Sequence, residues 1–185
     1  MLLPKGSVGA EVGTWRGDHA ASILRWTRPS RLFLVDPWQH REDEDYDRAA
    51  YGGRADGGQA GMDRIYQGVL DRFAGRIRSG RVVVYREPSL QAASKLGQES
   101  LDWVYIDGDH TYEAVLADLE AYWPVVRPGG MVGGDDYRNP GWWDDGVTRA
   151  VDEFAKARRL DVTVIGTQFL IRRPDQGNGS APLAS

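Results

Sequence analysis

Cysteine is absent from the 185 residues of this chain. A chain without thiols forms no disulfides, offers no thiolate ligands to metals and carries no cysteine nucleophile. Any metal site must therefore use carboxylate, amide or imidazole groups, and such a ligand set favours hard cations such as Mg²⁺.

Long apolar runs and an excess of positive charge are also missing. No stretch approaches the roughly 20 apolar residues that a membrane-spanning helix requires, and the N-terminus lacks the apolar segment of a signal peptide. The formal net charge is −4, whereas proteins that bind the phosphate backbone of nucleic acids are usually basic. We therefore expect a cytoplasmic protein whose partners include neither a membrane nor a nucleic acid.

The size and composition of the chain fit one folded domain. Its apolar content of 41% is enough for a single buried core at this length. We expect the domain to occupy residues 1–172. Residues 173–185 are polar and contain proline and glycine, so we expect them to form a disordered tail.

Short apolar runs alternate with helical patterns along the domain. The predicted strands are 7–13, 31–37, 81–86, 101–107 and 131–136, and the predicted helices are 18–26, 62–74, 90–96, 112–123 and 146–159. This alternation predicts an α/β fold with a parallel sheet covered by helices on both faces. Two further strands, 161–165 and 168–171, are too close together for a helical crossover and should be antiparallel.

One long segment, residues 38–61, fits neither pattern, because it is acidic at first and then rich in glycine. A loop of this length in a compact domain is usually functional or mobile, so we consider it a candidate lid, together with Trp142 and Trp143. Several aromatic side chains either form an apolar wall for a ring-shaped substrate or pack in the ordinary way. These residues are Tyr46, Tyr51, Tyr137, Trp142 and Trp143.

A glycine-containing turn follows the first predicted strand. Gly13 and Gly17 form the pattern Gly-x-x-x-Gly before a helix, where glycine lets the backbone approach a ligand closely. The spacing differs from the Gly-x-Gly-x-x-Gly of dinucleotide sites, which disfavours pyrophosphate. Glu11 could face the ammonium group of an amino-acid moiety, and Asp36, which ends the second strand, could bond both hydroxyls of a ribose. Each residue alone also suits an ordinary turn or cap, but their order favours a nucleoside site.

Acidic side chains end the fourth and fifth predicted strands. Asp107 follows the fourth strand, and Asp135 and Asp136 follow the fifth. The carboxyl ends of parallel strands share one edge of the sheet, and neighbouring strands lie about 5 Å apart. Three carboxylates in one cleft repel each other unless a cation or protons lie between them. The pattern favours a divalent metal site over a set of unrelated loop acids.

His110 follows Asp107 by three residues, at the start of a predicted helix. An imidazole with a pKa near 6.5 suits a general base that takes the proton of a substrate hydroxyl. The alternatives are that His110 is a surface residue and that Asp109 only caps the helix.

These motifs together resemble a known family. They are Tyr105–Glu113, Asp118-Leu119, Trp123, Arg127–Gly130 and Gly133–Tyr137, with Glu11-Val12-Gly13, Gly17 and Val35–Trp38. The chain resembles the class I S-adenosylmethionine-dependent methyltransferases over residues 7 to 171. Its closest likeness is to the macrocin O-methyltransferase and cephalosporin hydroxylase-like group, methyltransferase domain family 24, which acts on hydroxyls of small molecules.

The resemblance implies a Rossmann-like three-layer sandwich, whose mostly parallel seven-stranded sheet has an antiparallel last strand. It implies O-methyl transfer from S-adenosylmethionine to a sugar or phenol-like hydroxyl, with His110 as base. The expected cofactor contacts are Glu11, Gly13, Thr14, Gly17, Asp36, Ser89 and Asp107. The expected Mg²⁺ ligands are Asp107, Asp135 and Asp136.

Other functions stay open at this point. A metal-independent methyltransferase could act on nitrogen or a carboxylate, and a non-catalytic subunit could bind a nucleoside on the same fold. A nicotinamide oxidoreductase is disfavoured by the glycine spacing. The identity of the acceptor and a homo-oligomeric state are not determined by the sequence.

Overall fold

The computed structural model describes residues 3–42 and 57–175. Within these residues, one sheet contains β1 (Val8–Val12), β2 (Arg31–Asp36), β3 (Val82–Arg86), β4 (Leu101–Ile106), β5 (Val126–Gly134), β6 (Val162–Ile165) and β7 (Gln168–Arg172). The helices are α1 (Asp18–Trp26), α2 (Gly58–Arg78), α3 (Ser89–Lys95), α4 (Tyr112–Tyr122) and α5 (Gly146–Arg158). No helix in this part of the chain combines the length and apolar character needed to cross a membrane.

The strand order across the sheet is β3-β2-β1-β4-β5-β7-β6. Strands β1 to β5 pair in parallel, and β7 is antiparallel to both β5 and β6. Only two residues join β6 to β7, which allows a hairpin but no crossover. The mostly parallel α/β sheet with an antiparallel last strand is confirmed.

Helices cover both faces of the sheet and form two separate hydrophobic clusters. Ile23 of α1 and Phe73 of α2 belong to one cluster, while Ala93 of α3, Leu119 of α4 and Phe154 of α5 belong to the other. The apolar stripes predicted for these helices are therefore their buried faces. The result is the predicted three-layer Rossmann-like sandwich.

The bounds of α2 and β5 differ most from the sequence-based expectation, and α2 ends at Arg78 rather than at residue 74. Helix α2 begins at Gly58, so the last four residues of the predicted loop 38–61 are helical, and Gly61 is buried there. Strand β5 begins at Val126 and includes the predicted turn 127–130, because a register shift in β4 lets Val126 pair with Leu101. Both segments were expected to be loops because they contain glycine, and the second also contains proline. Residues 43–56 of the candidate lid, with Tyr46 and Tyr51, lie outside the described residues.

Arg173, the first residue of the predicted tail, is bonded to the sheet. Its N–H donates to the carbonyl oxygen of Gly130 at 3.0 Å, and its guanidinium donates to the carbonyls of Trp123 at 3.0 Å and Pro124 at 3.2 Å. The ordered chain thus extends past the boundary expected at residue 172. Residues 176–185 lie outside the described residues.

Candidate functional site

A cavity of about 580 Å³ lies at the carboxyl ends of the parallel strands. It lies where β1 and β4 are neighbours, the point at which the strand order changes direction and α/β sheets bind their ligands. Its volume falls within the range of small-molecule sites. The predicted residues on its walls are Gly13, Asp36, Ser89, Asp107, His110, Asp136, Trp142 and Trp143. Five other predicted residues do not line it, namely Glu11, Thr14, Gly17, Asp135 and Tyr137.

Gly13 lies at the tight turn that ends β1. Its φ is +89°, and a Cβ there would lie 1.9 Å from the carbonyl oxygen of Asp107. Its N–H donates to the carbonyl oxygen of Val35 at 2.9 Å. Glycine is therefore required for the backbone geometry of this turn, whatever ligand the cavity binds. Gly17 plays a different part, since a Cβ there would lie 2.8 Å from the Phe73 ring and so obstruct helix packing.

Asp36 ends β2 with its carboxylate held by two backbone groups. The N–H of Trp15 donates to Oδ2 at 2.8 Å, and the N–H of Trp38 donates to Oδ1 at 2.7 Å. These bonds orient the buried side chain at the cavity wall. Each carboxylate oxygen can accept a second hydrogen bond, so the turn and ligand-binding interpretations are compatible.

Glu11 is buried beside His19 of α1. His19 Nδ1 lies 3.0 Å from Glu11 Oε1, and Oε2 has no hydrogen-bond partner among the described residues. Burial raises the pKa of Glu11, although His19 opposes the shift. The ring of His19 also contacts Tyr105, with centroids 4.4 Å apart. Thr14 is buried nearby in the turn.

Of the three expected metal ligands, Asp107 and Asp136 lie close together, and His110 lies beside them. Asp107, His110 and Asp136 each present a ligand atom, and these atoms lie within 4.8 Å of one another. His110 Nε2 lies 2.9 Å from Asp136 Oδ2 and 3.5 Å from Asp107 Oδ1. The two carboxylates are donors that fit a divalent cation, and the imidazole lies next to them.

Asp135 is turned away from this cluster. Its Oδ1 accepts hydrogen bonds from the Thr167 hydroxyl at 2.6 Å and from the Asp136 N–H at 2.9 Å. The Tyr105 hydroxyl lies 3.4 Å from its Oδ2. Asp136 adopts a left-handed backbone with φ of +58°, a conformation that aspartate tolerates better than most residues. The two adjacent acids consequently face different surroundings.

Two opposing effects act on His110. Burial alone would lower its pKa, but the carboxylates of Asp107, Asp136 and Asp109 outweigh burial, so the pKa is raised above its ordinary value. Asp109 accepts a hydrogen bond from the Thr111 N–H at 2.9 Å. Thr111 is the N-cap of α4, and no side-chain hydrogen bond caps this helix, so the bond closes the turn before α4 and the helix-capping alternative for Asp109 is wrong.

The aromatic residues fall into two groups. Trp142 and Trp143 line the cavity, and Trp143 stacks on His110. Tyr137 is instead buried in the core, and its hydroxyl donates to Asp152 at 2.7 Å. Tyr137 therefore packs in the ordinary way and does not form part of a wall for a substrate.

Among the cavity residues that sequence reasoning did not predict as site residues, Asp118 is a buried acid. Asp118 on α4 lines the wall and is buried, and it accepts a hydrogen bond from Ser89 Oγ at 2.5 Å. Two signals were available: Asp118 belongs to the motifs that carry the family resemblance, and it is an acid on the apolar stripe of a helix, between Val115 and Leu119. A charged residue at such a position is seldom buried without a partner.

Comparison with known proteins points to one family. A family model described as a methyltransferase domain matches residues 10–137, which is more than half of the chain. A stretch of 42 residues is 40% identical to uncharacterized protein R132 of Acanthamoeba polyphaga mimivirus. That stretch covers 23% of this chain and 19% of the viral protein.

Solved structures share the fold at low sequence identity. The O-methyltransferase NovP is 18% identical with a TM-score of 0.61. The match covers 91% of this chain and 72% of the NovP chain. The calicheamicin methyltransferase CalS11 is 20% identical with a TM-score of 0.59. The match covers 90% of this chain and 72% of the CalS11 chain. Cofactor-bound Rv0187 from MTB is 18% identical with a TM-score of 0.64. The match covers 91% of this chain and 73% of the Rv0187 chain.

Proposed function

Because this chain belongs to the methyltransferase-domain family, we propose that it transfers a methyl group from S-adenosylmethionine to a hydroxyl of a small molecule, with a divalent cation bound beside the acceptor. One observation carries the proposal: a single cavity contains both the acid that suits a ribose, Asp36, and the cluster of Asp107, His110 and Asp136. The O-methyltransferase NovP shares the fold, which supports this reaction class.

The nucleoside end of the cavity is prepared by backbone bonds. The N–H groups of Trp15 and Trp38 hold the carboxylate of Asp36 in place, so it can accept bonds from ribose hydroxyls without first reorganising. Gly13 leaves room at the turn, because no side chain projects there. Glu11 lies behind the wall, where the ionised form of its carboxyl group would favour a cationic ammonium group nearby.

The acceptor end is prepared by the cluster of Asp107, His110 and Asp136. Asp107 and Asp136 would hold a divalent cation, which lowers the pKa of a bound hydroxyl when present. His110 Nε2 would take the hydroxyl proton, while the acceptor oxygen bonds to the methyl carbon and the carbon–sulfur bond breaks. The sulfonium methyl is already activated, so the main task of these residues is positioning. Trp142 and Trp143 would exclude water from this end.

Calorimetry tests the cofactor assignment directly. We expect S-adenosylhomocysteine to bind and NAD to give no heat. Asp36→Asn should weaken S-adenosylhomocysteine binding by about tenfold, because the amide loses charge-assisted bonds to the ribose. The matched control is Asp71→Asn, which removes the same charge from the exposed face of α2 and should bind as wild type does. Absence of heat with S-adenosylhomocysteine would overturn the proposal.

Activity assays then separate the remaining functions. Turnover of a hydroxyl acceptor that is lost with a chelator supports the metal-assisted reaction. Turnover that is insensitive to the chelator supports a metal-independent methyltransferase of nitrogen or carboxylate groups. Cofactor binding without turnover on any acceptor supports a nucleoside-binding subunit. A cytoplasmic location and a homo-oligomeric state stay predictions.

A further inference from the structure

The end of the sheet opposite the cavity is formed by three segments of the chain. Residues 4–7, 25–31 and 76–81 lie at the amino ends of β1, β2 and β3. The Ser30 N–H donates to the carbonyl oxygen of Ser7 at 2.8 Å, which joins the first two segments, and the parallel pairing of β2 with β3 brings the third alongside them. Since β2 has six residues, about 20 Å separates this end from the cavity.

These three segments contain seven positively charged side chains and no acidic ones. We call this surface the basic end, and its cations, all of them exposed, are Lys5, Arg25, Arg28, Arg31, Arg76, Arg78 and Arg81. None of the seven forms an ion pair with another described residue, whereas Arg72 pairs with Asp18 and Arg127 pairs with Asp102. Like charges held together without counter-charges favour the approach of an anion.

An exposed tryptophan lies among these cations. Trp26, the last residue of α1, is 62% exposed, and the guanidinium of Arg25 lies 5.2 Å from the centre of its ring. Tryptophan and arginine are the residues that dominate binding energy at protein interfaces, where lysine is depleted. Six of the seven cations at the basic end are arginines, whose planar groups can hold a carboxylate through two parallel hydrogen bonds.

The backbone of Arg28 indicates that its side chain has a use beyond the fold. Arg28 follows Thr27, the C-cap of α1, and its φ is +48°. Glycine is the usual residue at this left-handed position, because a side chain strains the backbone there. An exposed arginine without an ion pair among the described residues does not compensate this strain within the fold. Such outliers occur preferentially where a side chain serves binding or function.

We propose that the basic end binds a short acidic segment of a partner protein. The guanidinium groups pair with its carboxylates, and Trp26 packs against an apolar or aromatic side chain within the segment. The chain has a net charge of −4 and the basic end contributes seven positive charges, so the remaining residues carry −11. That charge repels a long polyanion such as a nucleic acid, whereas a short segment contacts the basic end alone. One exposed tryptophan is too little apolar surface for stable membrane binding.

Fluorescence anisotropy with a labelled peptide tests this surface. The probe contains six glutamates and a central tyrosine, and a second peptide has serine in place of the tyrosine. Wild type should bind both, more weakly as salt is added. The double variant Arg31→Glu, Arg81→Glu should lower the affinity at least about tenfold, because each change reverses an exposed charge. Trp26→Ala should lower the affinity for the tyrosine peptide by about fivefold and leave the serine peptide unaffected.

Arg28 allows a control that separates binding from folding. Arg28→Gly should raise the melting temperature, because it relieves the left-handed strain, and yet weaken the peptide by about threefold. The matched variant is Arg159→Gly, since Arg159 has a φ of +55° and precedes β6 at the opposite edge of the sheet. It should raise the melting temperature without changing peptide affinity.

Several results would overturn the proposal. They include the absence of peptide binding, unchanged affinity in the double variant, and equal loss of both peptides in Trp26→Ala. A single-stranded oligonucleotide of equal charge that binds more tightly than the peptide would assign the surface to nucleic acid. Sedimentation of wild type, but not the double variant, with phosphatidylserine vesicles would assign it to a membrane. A dimer that only the double variant loses would assign it to a second copy of this chain.

Discussion

The imidazole of His110 stacks on the indole of Trp143, with ring centroids 4.5 Å apart and ring planes 28° apart. Trp143 is itself confined, because a Cβ on Gly141 would lie 2.5 Å from its ring and Trp142 packs edge-on against it at 5.5 Å. His110 is therefore held from one side by Trp143 and from another by the Asp136 carboxylate, 2.9 Å away. A base that is held in this way loses little entropy on reaching its working orientation.

Removal of the stacking ring should impair turnover more than binding. We expect Trp143→Ala to lower kcat by about tenfold or more, with the affinity for S-adenosylhomocysteine almost unchanged, because His110 then samples unproductive orientations. Trp143→Phe should restore most of kcat, since a phenyl ring can also stack. Steady-state kinetics and calorimetry measure the two effects.

Two further variants make the stacking test specific. His110→Gln should lower kcat at least as much as Trp143→Ala if the imidazole is the base. Trp26→Ala, on the exposed surface of α1, should leave kcat unchanged. A Trp143→Ala protein with wild-type kcat would contradict the orienting role.

The adjacent acids after β5 should respond differently to substitution. Asp136→Asn should abolish the binding of Mn²⁺ or Mg²⁺, because Asp136 shares the cluster with Asp107 and His110. Asp135→Asn should mainly lower the melting temperature, since its carboxylate bonds Thr167 and the Asp136 N–H. Metal titration by calorimetry and thermal denaturation measure these outcomes. Equal loss of metal affinity in both variants would favour the original expectation that both acids are ligands.

A side chain at Gly13 should be incompatible with the turn. Gly13→Ala combines a positive φ with a contact of 1.9 Å to the carbonyl oxygen of Asp107, and should destabilise the fold by roughly 3 kcal/mol or more. Gly68→Ala is a matched control, because Gly68 lies inside α2 and its Cβ would meet nothing within 4 Å. It should stabilise the protein by about 0.5–1 kcal/mol. Urea denaturation distinguishes the two, and equal effects would refute the steric argument.

Burial of Asp118 should make stability depend on pH in a defined direction. Its pKa is about 6 in the folded protein against an ordinary value of 3.8, so the folded state binds the proton more tightly than the unfolded state. The resulting stabilisation is present below the ordinary value and is lost as pH rises through about 6. In Asp118→Asn this contribution is absent.

The free energy of unfolding of wild type, relative to Asp118→Asn, should therefore fall between pH 4 and 7. The fall should reach at most roughly 3 kcal/mol, from a shift of about two units. Denaturant unfolding at a series of pH values measures the difference. A difference that does not change with pH would contradict the raised pKa.

Local patterns in the sequence were sufficient for much of the fold. Helix α1 begins and ends where the spacing of apolar residues predicts, at Asp18 and Trp26, and the two-residue connection of β6 to β7 predicts their antiparallel pairing. Both depend on residues close together in the chain. By contrast, α2 starts earlier than predicted because a glycine-rich segment can enter a helix when packing against the core compensates its weak propensity.

Sequence by itself determined that acids and an imidazole follow β4 and β5, since the alternation of elements places strand ends at one edge of a sheet. Only the tertiary structure decided which of them converge. Thr167 reaches Asp135 because β7 lies between β5 and β6 in the sheet. The left-handed backbone of Asp136 directs its own carboxylate toward His110. Likewise, Asp118 meets Ser89 only because α3 and α4 pack together. Contacts between residues distant in the chain depend on strand order and side-chain orientation, and neither is encoded in local periodicity.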